Sequence, residues 1–124
     1  MKVLIVDDNV DAADSFKLVV ERLGGHEVRA TYSGESALET LTDFRPNVIF
    51  LDISMPKLDG YALCRRIRLL PWSAHTSIYA VTGWARIEER AAEAGFTGCI
   101  LKPYDCQQME RLIATAIPTS PNPG

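Results

Sequence analysis

The decisive stretch of this 124-residue chain is Val48-Ile49-Phe50-Leu51-Asp52, in which four apolar residues end in an acid. An apolar run of this length, without polar alternation, is typical of a strand buried on both faces of a parallel sheet. The same form occurs at Val3–Val6, where Asp7 and Asp8 follow directly. The pattern therefore predicts central parallel strands that end in carboxylates.

Amphipathic segments separate the apolar runs, so that the chain alternates between strand and helix five times. We predict strands at residues 2–7, 27–31, 47–52, 77–82 and 98–102. We predict helices at residues 10–23, 34–44, 60–70, 86–94 and 106–117. Strict alternation implies a parallel sheet with helices on both faces. Because the crossovers between parallel strands are right-handed, the expected fold is a doubly wound α/β sheet.

Length and composition indicate a single ordinary globular domain. The chain is 47% hydrophobic and 23% charged, and its 16 acids and 13 bases give a net charge of −3. A chain of this length has room for one core and one domain. We assign residues 1–117 to the folded domain. Residues 118–124, with three prolines, are expected to form a flexible tail or a truncated linker.

The same numbers exclude several classes of partner. The slight acidity argues against direct nucleic-acid binding, and no apolar stretch approaches the ~18–20 residues of a membrane span. No export signal precedes the first strand. Cys64, Cys99 and Cys106 lack any metal-binding spacing, so we expect them to be reduced thiols. The expectation is a cytoplasmic protein that contacts neither membrane nor nucleic acid.

Polar residues stand at the ends of four predicted strands, and parallel strands present such residues at one edge of the sheet. They are Asp7, Asp8, Asp52, Thr82 and Lys102. Open α/β sheets bind their ligands at this edge. Carboxylates gathered there repel each other and lose hydration, so they need a cation. Oxygen ligands with room for water favour Mg²⁺.

The adjacent acids Asp7 and Asp8 support two interpretations when taken alone. Acids after a strand also cap the following helix, a role open here to Asn9 or Asp11. Lys102 favours the functional interpretation, because it brings an ammonium group to the same edge. A carboxylate nucleophile, Mg²⁺, a cation and a hydroxyl donor are the parts that phosphoryl transfer requires.

The remaining basic residues and histidines are expected to be structural. Arg65, Arg66 and Arg68 could form a phosphate-binding patch, but a solvated helix face with cations near its C-terminus explains them better. His26 precedes the second strand and His75 lies in the loop before the fourth. We therefore expect neither histidine to act as a base or a metal ligand.

Four motifs, taken together, resemble the receiver domain of two-component response regulators. They are Val6-Asp7-Asp8-Asn9, Leu51-Asp52-Ile53-Ser54-Met55-Pro56 followed by Asp59-Gly60, Ala80-Val81-Thr82-Gly83, and Lys102-Pro103-Tyr104. Their order and spacing match the family, with 30 residues from Asp52 to Thr82 and 20 from Thr82 to Lys102. The resemblance covers residues 1–117. It implies a flavodoxin-like (βα)5 sandwich with a five-stranded parallel sheet in the order 2-1-3-4-5.

The resemblance also implies a role for each acidic residue. Asp52 would accept a phosphoryl group from a phosphohistidine of a histidine kinase or a histidine phosphotransfer protein. Asp8 would bind Mg²⁺ directly and Asp7 would assist through water. Asp52 itself and the backbone carbonyl of Ser54 would complete the protein ligands. No organic cofactor is expected.

The resemblance further implies a switch. Lys102 would pair with the phosphoryl oxygens, and Thr82 would move to hydrogen-bond them after transfer. This movement would reshape the surface of the fourth helix, the fifth strand and the fifth helix, which would contact a downstream partner and could support a weak homodimer. Many receivers carry an aromatic residue where this chain has Cys99, so a switch through an aromatic side chain is not expected. Tyr104, beyond the lysine, is poorly positioned to replace it.

Trp84, two residues after Thr82, is large enough to overhang the acceptor. We predict that it limits access of water to the phosphorylated residue. Trp84→Ala should therefore change the rate of dephosphorylation. An unchanged rate would discard this role.

Three other functions stay open on these residues. A Mg²⁺-dependent phosphohydrolase of small phosphate esters could use Asp52, but Ser54 stands where such enzymes usually carry a second acid. A flavin or nucleotide module would need a glycine-rich motif after the first strand, where Asp7-Asp8-Asn9 stands. A scaffold without phosphoryl chemistry would have lost the acceptor, the lysine or the acid pair. We therefore expect a phosphoacceptor signalling domain rather than an enzyme.

Overall fold

A computed structural model describes residues 1–53, 59–83 and 87–102, together with positions 107 and 111. The strands in these ranges are β1 (Lys2–Val6), β2 (Glu27–Thr31), β3 (Val48–Asp52), β4 (Ser77–Thr82) and β5 (Gly98–Leu101). The α-helices are α1 (Val10–Arg22), α2 (Gly34–Thr40), α3 (Gly60–Arg68) and α4 (Glu88–Ala94), and a 3₁₀ turn spans Pro71–His75.

All strand pairs are parallel, and the sheet has the order β2-β1-β3-β4-β5. This confirms the predicted fold. Every residue of β3 is buried, and in β1 only Lys2 is exposed, as expected for central strands covered on both faces.

Alternate strand residues feed two apolar layers, one on each face of the sheet. One layer contains Phe50 and the α1 residue Phe16, whose ring centroids lie 4.8 Å apart. The other contains Leu51 and the buried residues of α2, α3 and α4, among them Leu63 and Ile67. Helix α1 therefore covers one face, and α2, α3 and α4 cover the other.

Polar side chains cap three of the described helices, and of the two cap candidates for α1 the structure shows Asn9. The side chains of Asn9, Ser33 and Asp59 accept hydrogen bonds from backbone N–H groups in the first turns of α1, α2 and α3. After α1 the chain turns through Gly24 and Gly25 at φ of 85° and 75°, a conformation that favours glycine. These caps determine where α1 and α3 begin, next to the ends of β1 and β3.

Some predicted boundaries are wrong by a few residues. Helix α2 ends at Thr40 instead of residue 44, because Thr42 bonds its hydroxyl back to the carbonyl of Glu39 and the chain turns there. The predicted fifth helix, 106–117, lies outside the described residues except for the helical positions 107 and 111. The predicted tail, 118–124, also lies outside them. In the described ranges no helix has the length and apolar character needed to cross a membrane.

Candidate functional site

The carboxyl ends of the central strands bring the predicted residues together. Asp52 ends β3 and Thr82 ends β4, while Asp7 and Asp8 directly follow β1 and Lys102 directly follows β5. The backbone N–H of Lys102 donates to the carbonyl of Thr82 at 2.7 Å, which ties these two strand ends together. Parallel pairing therefore places all five residues at the edge where α/β sheets bind ligands.

Three carboxylates form the centre of this edge. Ligand oxygens of Asp7, Asp8 and Asp52 all lie within 4.8 Å of one another. Asp7 is 7% exposed and Asp52 5%, whereas Asp8 is exposed. The cluster thus combines two desolvated acids with one that faces solvent, and the exposed acid gives a ligand access to the buried pair.

Lys102 supplies a positive charge to the cluster. Its Nζ lies 3.5 Å from Asp52 Oδ2 and 4.0 Å from Asp7 Oδ2, and its side chain is 37% exposed. Within the described ranges, this ammonium offsets only part of the charge of three acids, and the Asp52 carboxylate still repels that of Asp7. The ammonium lies nearer to Asp52 than to Asp7, where it can pair with a group attached to Asp52.

The surroundings of Asp7 raise the pKa of its carboxyl group. Burial raises the pKa of the Asp7 carboxyl to about 6, and the neighbouring Asp52 carboxylate also raises it. A hydrogen bond from the backbone N–H of Asn9 to Asp7 Oδ1, at 3.0 Å, and the charge of Lys102 both lower the pKa of Asp7. The ionised cluster is therefore costly in the absence of a further cation.

The donor set fits Mg²⁺. Among the residues that the structure describes, the three that could hold an ion here are all carboxylates, and hard divalent cations with few protein ligands and several waters suit such oxygens. The exposure of Asp8 leaves room for those waters. Ser54, whose carbonyl was a predicted ligand, lies outside the described residues. The chemistry of the donors and the uncompensated charge both favour a magnesium site.

We predict that the folded state loses stability as the pH rises from about 4 to 6 in a metal-free buffer. Below pH 4 Asp7 is protonated in both the folded and the unfolded chain, whereas above pH 6 the fold must hold an unfavourable charge. Two pKa units correspond to about 3 kcal/mol. Asp7→Asn should remove this loss and raise the metal-free free energy of unfolding at pH 7.5 by about 2 kcal/mol. Urea unfolding across this pH range measures it.

Two controls distinguish this effect from a general loss of negative charge. Asp11→Asn, in the exposed first turn of α1, should leave the pH slope between 4 and 6 unchanged. Added Mg²⁺ should stabilise the wild type at pH 7.5 and should stabilise Asp7→Asn far less. An Asp7→Asn variant with the wild-type pH slope would contradict the assignment of the strained charge to Asp7.

The histidines lie away from the site, as predicted. His26 Nδ1 is 3.3 Å from the ammonium group of Met1, at the opposite end of β1, and His75 is exposed in the 3₁₀ turn. Cys99 is a free, half-buried thiol that packs against the apolar layer shared with α4. Trp84 and Tyr104 lie outside the described residues.

Sequence reasoning missed the role of Arg68. We predicted a solvated helix face, and this is correct for the exposed side chains of Arg65 and Arg66. The half-buried guanidinium of Arg68 instead donates hydrogen bonds to the carbonyls of Gly95, Ser73 and Thr76. Its acceptors are backbone groups distant in sequence, so no side-chain pattern could have identified them.

Comparison with known proteins places these features in a family. The family model described as response regulator receiver domain matches residues 3–114. The uncharacterized 14.6 kDa protein in the sodA1 3′ region of Leptolyngbya boryana is 33% identical to this chain, over 91% of the chain and 87% of that protein. The response regulator MprA of a Mycobacterium species is 29% identical over 100% of the chain and 54% of its own length. The chain thus spans about half the length of most of the named regulators that it matches.

Solved structures agree with the fold. A CheY-like response regulator receiver domain from Methylobacillus flagellatus superposes with a TM-score of 0.84 at 29% identity, covering 94% of this chain and 98% of that one. The receiver domain of the sensor histidine kinase PA1611 from Pseudomonas aeruginosa has a TM-score of 0.83 at 26% identity, covering 94% and 96%. That structure has a magnesium ion coordinated in its active-site cleft.

Proposed function

Because the chain belongs to the response regulator receiver domain family, we propose that it accepts a phosphoryl group on Asp52 in a Mg²⁺-dependent phosphorelay. The donor is a phosphohistidine of a histidine kinase or a histidine phosphotransfer protein. The observation that carries the proposal is the pairing of Lys102 Nζ with Asp52 Oδ2 at 3.5 Å inside a cluster of three acids. A nucleophile, its counter-ion and oxygen ligands for a metal thus lie together.

In the transfer step, a carboxylate oxygen of Asp52 forms a bond to phosphorus. The phosphorus–nitrogen bond of the donor breaks, and the imidazole leaves with the bonding electron pair and takes up a proton. Asp7, Asp8, Asp52 and the carbonyl of Ser54 would hold Mg²⁺. The ion, when bound, supplies the positive charge that neutralises phosphoryl oxygens next to the acids.

Lys102 and Thr82 act on the product. The ammonium of Lys102 is near enough to Asp52 to pair with an oxygen of the attached phosphoryl group. The hydroxyl of Thr82, at the end of the neighbouring strand, would donate a hydrogen bond to another oxygen after the Thr82 loop moves. An aspartyl phosphate adds charge and hydrogen-bond acceptor oxygens at one point. These oxygens would favour a position of the loop in which the Thr82 hydroxyl donates to them.

The altered surface is the output of the domain. Helix α4 follows Thr82 in the chain and packs against β5, so movement there would change the surface of these two elements. The predicted fifth helix would belong to the same surface. A downstream partner would bind this face, and a weak homodimer could use it. We assign residues 1–117 to the receiver and residues 118–124 to a tail or linker. On this proposal the chain does not bind nucleic acid directly and does not turn over a substrate.

The test is incubation of the wild-type protein with acetyl phosphate, with and without Mg²⁺. Intact mass spectrometry should show one base-labile phosphoryl group per chain, which forms only with Mg²⁺ and maps to the peptide that contains Asp52. Continuous release of phosphate from small phosphate esters, many times per chain, would instead support the phosphohydrolase. Absence of any adduct under both conditions would refute the proposal.

A further inference from the structure

Arg68, in the last turn of α3, connects three separate parts of the fold. Its Nε donates to the carbonyl of Gly95 at 2.8 Å, and its Nη1 donates to the carbonyls of Ser73 and Thr76 at 2.6 and 2.8 Å. Its Nη2 donates to Thr97 Oγ1 at 3.3 Å. One guanidinium therefore joins α3, the 3₁₀ turn and the segment between α4 and β5.

The contact with Gly95 holds the C-terminal end of α4. Gly95 adopts φ of 103° and closes the helix, and the N–H of Phe96 bonds back to the carbonyl of Ala91. A Cβ at Gly95 would lie 2.8 Å from Cγ of Arg68, so the arginine stem packs directly on this turn. The cation also lies at the negative end of the helix dipole.

The next residues fix this end of α4 to the sheet. Thr97 Oγ1 accepts a hydrogen bond from the N–H of Ile78 at 2.9 Å, and the N–H of Thr97 donates to the carbonyl of Ile78. The ring of Phe96 is buried and meets Tyr61 of α3 edge to face, with centroids 6.2 Å apart. Charge-assisted hydrogen bonds, strand pairing and aromatic packing thus act on the same three residues.

Contacts of a different kind hold the N-terminal end of α4 among the described residues. The cap residue, Ile87, is half-buried and packs against the apolar layer, and the Arg90 guanidinium lies over the Tyr61 ring, 4.1 Å from its centroid. The N–H groups of a first helical turn have no partner within the helix, and no side chain of the described residues caps them here. This is also the end that follows the Thr82 strand in the chain. Within the described residues, the C-terminal end of α4 is therefore held by hydrogen bonds to a guanidinium and to the sheet, and the N-terminal end by apolar and cation–π contacts.

We propose that Arg68 is a positioning residue that fixes the C-terminal end of α4. When the acceptor is phosphorylated, the helix then moves about a hinge at Gly95. The proposal rests on the proposed function, because it states which end of α4 moves after phosphorylation. The movement occurs at Ile87, next to the Thr82 loop, while Gly95, Phe96 and Thr97 stay in place. The Arg68 contacts thus determine which part of the α4 surface changes, and a partner that binds α4 would recognise the change there.

The first part of the test uses the unphosphorylated protein and does not depend on the function. Arg68→Met keeps the aliphatic stem beside Gly95 and removes every donor. Amide hydrogen exchange of Gly95, Phe96 and Thr97, followed by NMR, should become at least about tenfold faster. Arg68→Lys keeps the charge but not the forked geometry, so it should fall between wild type and Arg68→Met. Arg65→Met, an exposed neighbour on the same helix, is the matched control and should leave these amides unchanged.

The second part adds Mg²⁺ and acetyl phosphate, with the adduct scored by mass. In the wild type, amide shifts and exchange should change at Ile87–Ala92 and stay constant at Gly95–Thr97. In Arg68→Met the change should extend through Thr97. Equal changes at both ends of α4 in the wild type would overturn the hinge. Wild-type exchange at Gly95–Thr97 in unphosphorylated Arg68→Met would overturn it independently of phosphorylation. A missing adduct would refute the proposed function and leave the first part to decide on Arg68.

Discussion

Replacement of Asp52 by asparagine is expected to abolish phosphoryl incorporation from acetyl phosphate. The amide has nearly the same shape as the carboxylate, but its oxygen carries no charge and does not form a stable bond to phosphorus. Asp52 is 5% exposed at the end of the fully buried strand β3, and the Lys102 ammonium lies nearer to its carboxylate than to that of Asp7. The expected loss is complete within the sensitivity of intact mass spectrometry.

The matched control for this variant is Asp59→Asn. Asp59 is also an acid in the β3–α3 connection, but its side chain caps α3 through the N–H of Ala62, a role that asparagine fills equally well. Asp59→Asn should therefore accept a phosphoryl group at the wild-type level. If Asp52→Asn is phosphorylated to the same stoichiometry as Asp59→Asn, the acceptor lies elsewhere.

Asp52→Asn should also separate Mg²⁺ binding from acceptance of the phosphoryl group. The substitution removes one of three carboxylates that lie within 4.8 Å, so the metal-free protein should become slightly more stable as repulsion falls. Asp7 and Asp8 remain, and Mg²⁺ should still stabilise the variant, although less than the wild type. A protein that binds Mg²⁺ but takes up no phosphoryl group would assign the nucleophile to Asp52 alone.

The sheet and the position of the site were predictable because apolar runs in this sequence end abruptly in polar residues. Four apolar residues before Asp52 leave no exposed face, which requires a central strand. Strict alternation with helices then makes the strands parallel, and parallel strands collect their final residues at one edge. The proximity of Asp7 to Asp52 follows from these two facts, without knowledge of any distance.

Other features could not be obtained in this way. The strand order depended on the family resemblance, since the apolar patterns of β1 and β3 are too similar to rank. The contacts of Arg68 depend on where the backbone of Gly95 comes to lie, which is a property of the packed fold. The end of α2 was misjudged because the bond from the Thr42 hydroxyl to Glu39 competes with helix continuation.

Gly60→Ala is expected to lower the free energy of unfolding far more than the same substitution at Gly83 or Gly98, which also have ordinary φ values. A Cβ at Gly60 would lie 2.5 Å from Cα of Ile53, with Cγ2 and Cβ of the same residue at 2.8 and 2.9 Å. The nearest atom is backbone, so no side-chain rotation can relieve the overlap. Helix α3 would have to move away from the end of β3, where the N–H of Gly60 donates to the carbonyl of Ile53.

The expected cost is about 3 kcal/mol, near the upper end of the range for an overpacked interior. Gly83→Ala is the matched control, because Gly83 directly follows Thr82 at the same edge and a Cβ there meets nothing within 4 Å. It should change the free energy of unfolding by less than about 0.5 kcal/mol, as is usual for substitutions without new contacts. Urea unfolding of both variants measures the difference, and equal midpoints would show that the β3–α3 connection adjusts without loss of stability.

Because Ile53 follows Asp52 directly, the displacement should also slow phosphorylation of Gly60→Ala under conditions in which it is still folded. A wild-type rate in the folded variant would mean that the position of the acceptor does not depend on this contact.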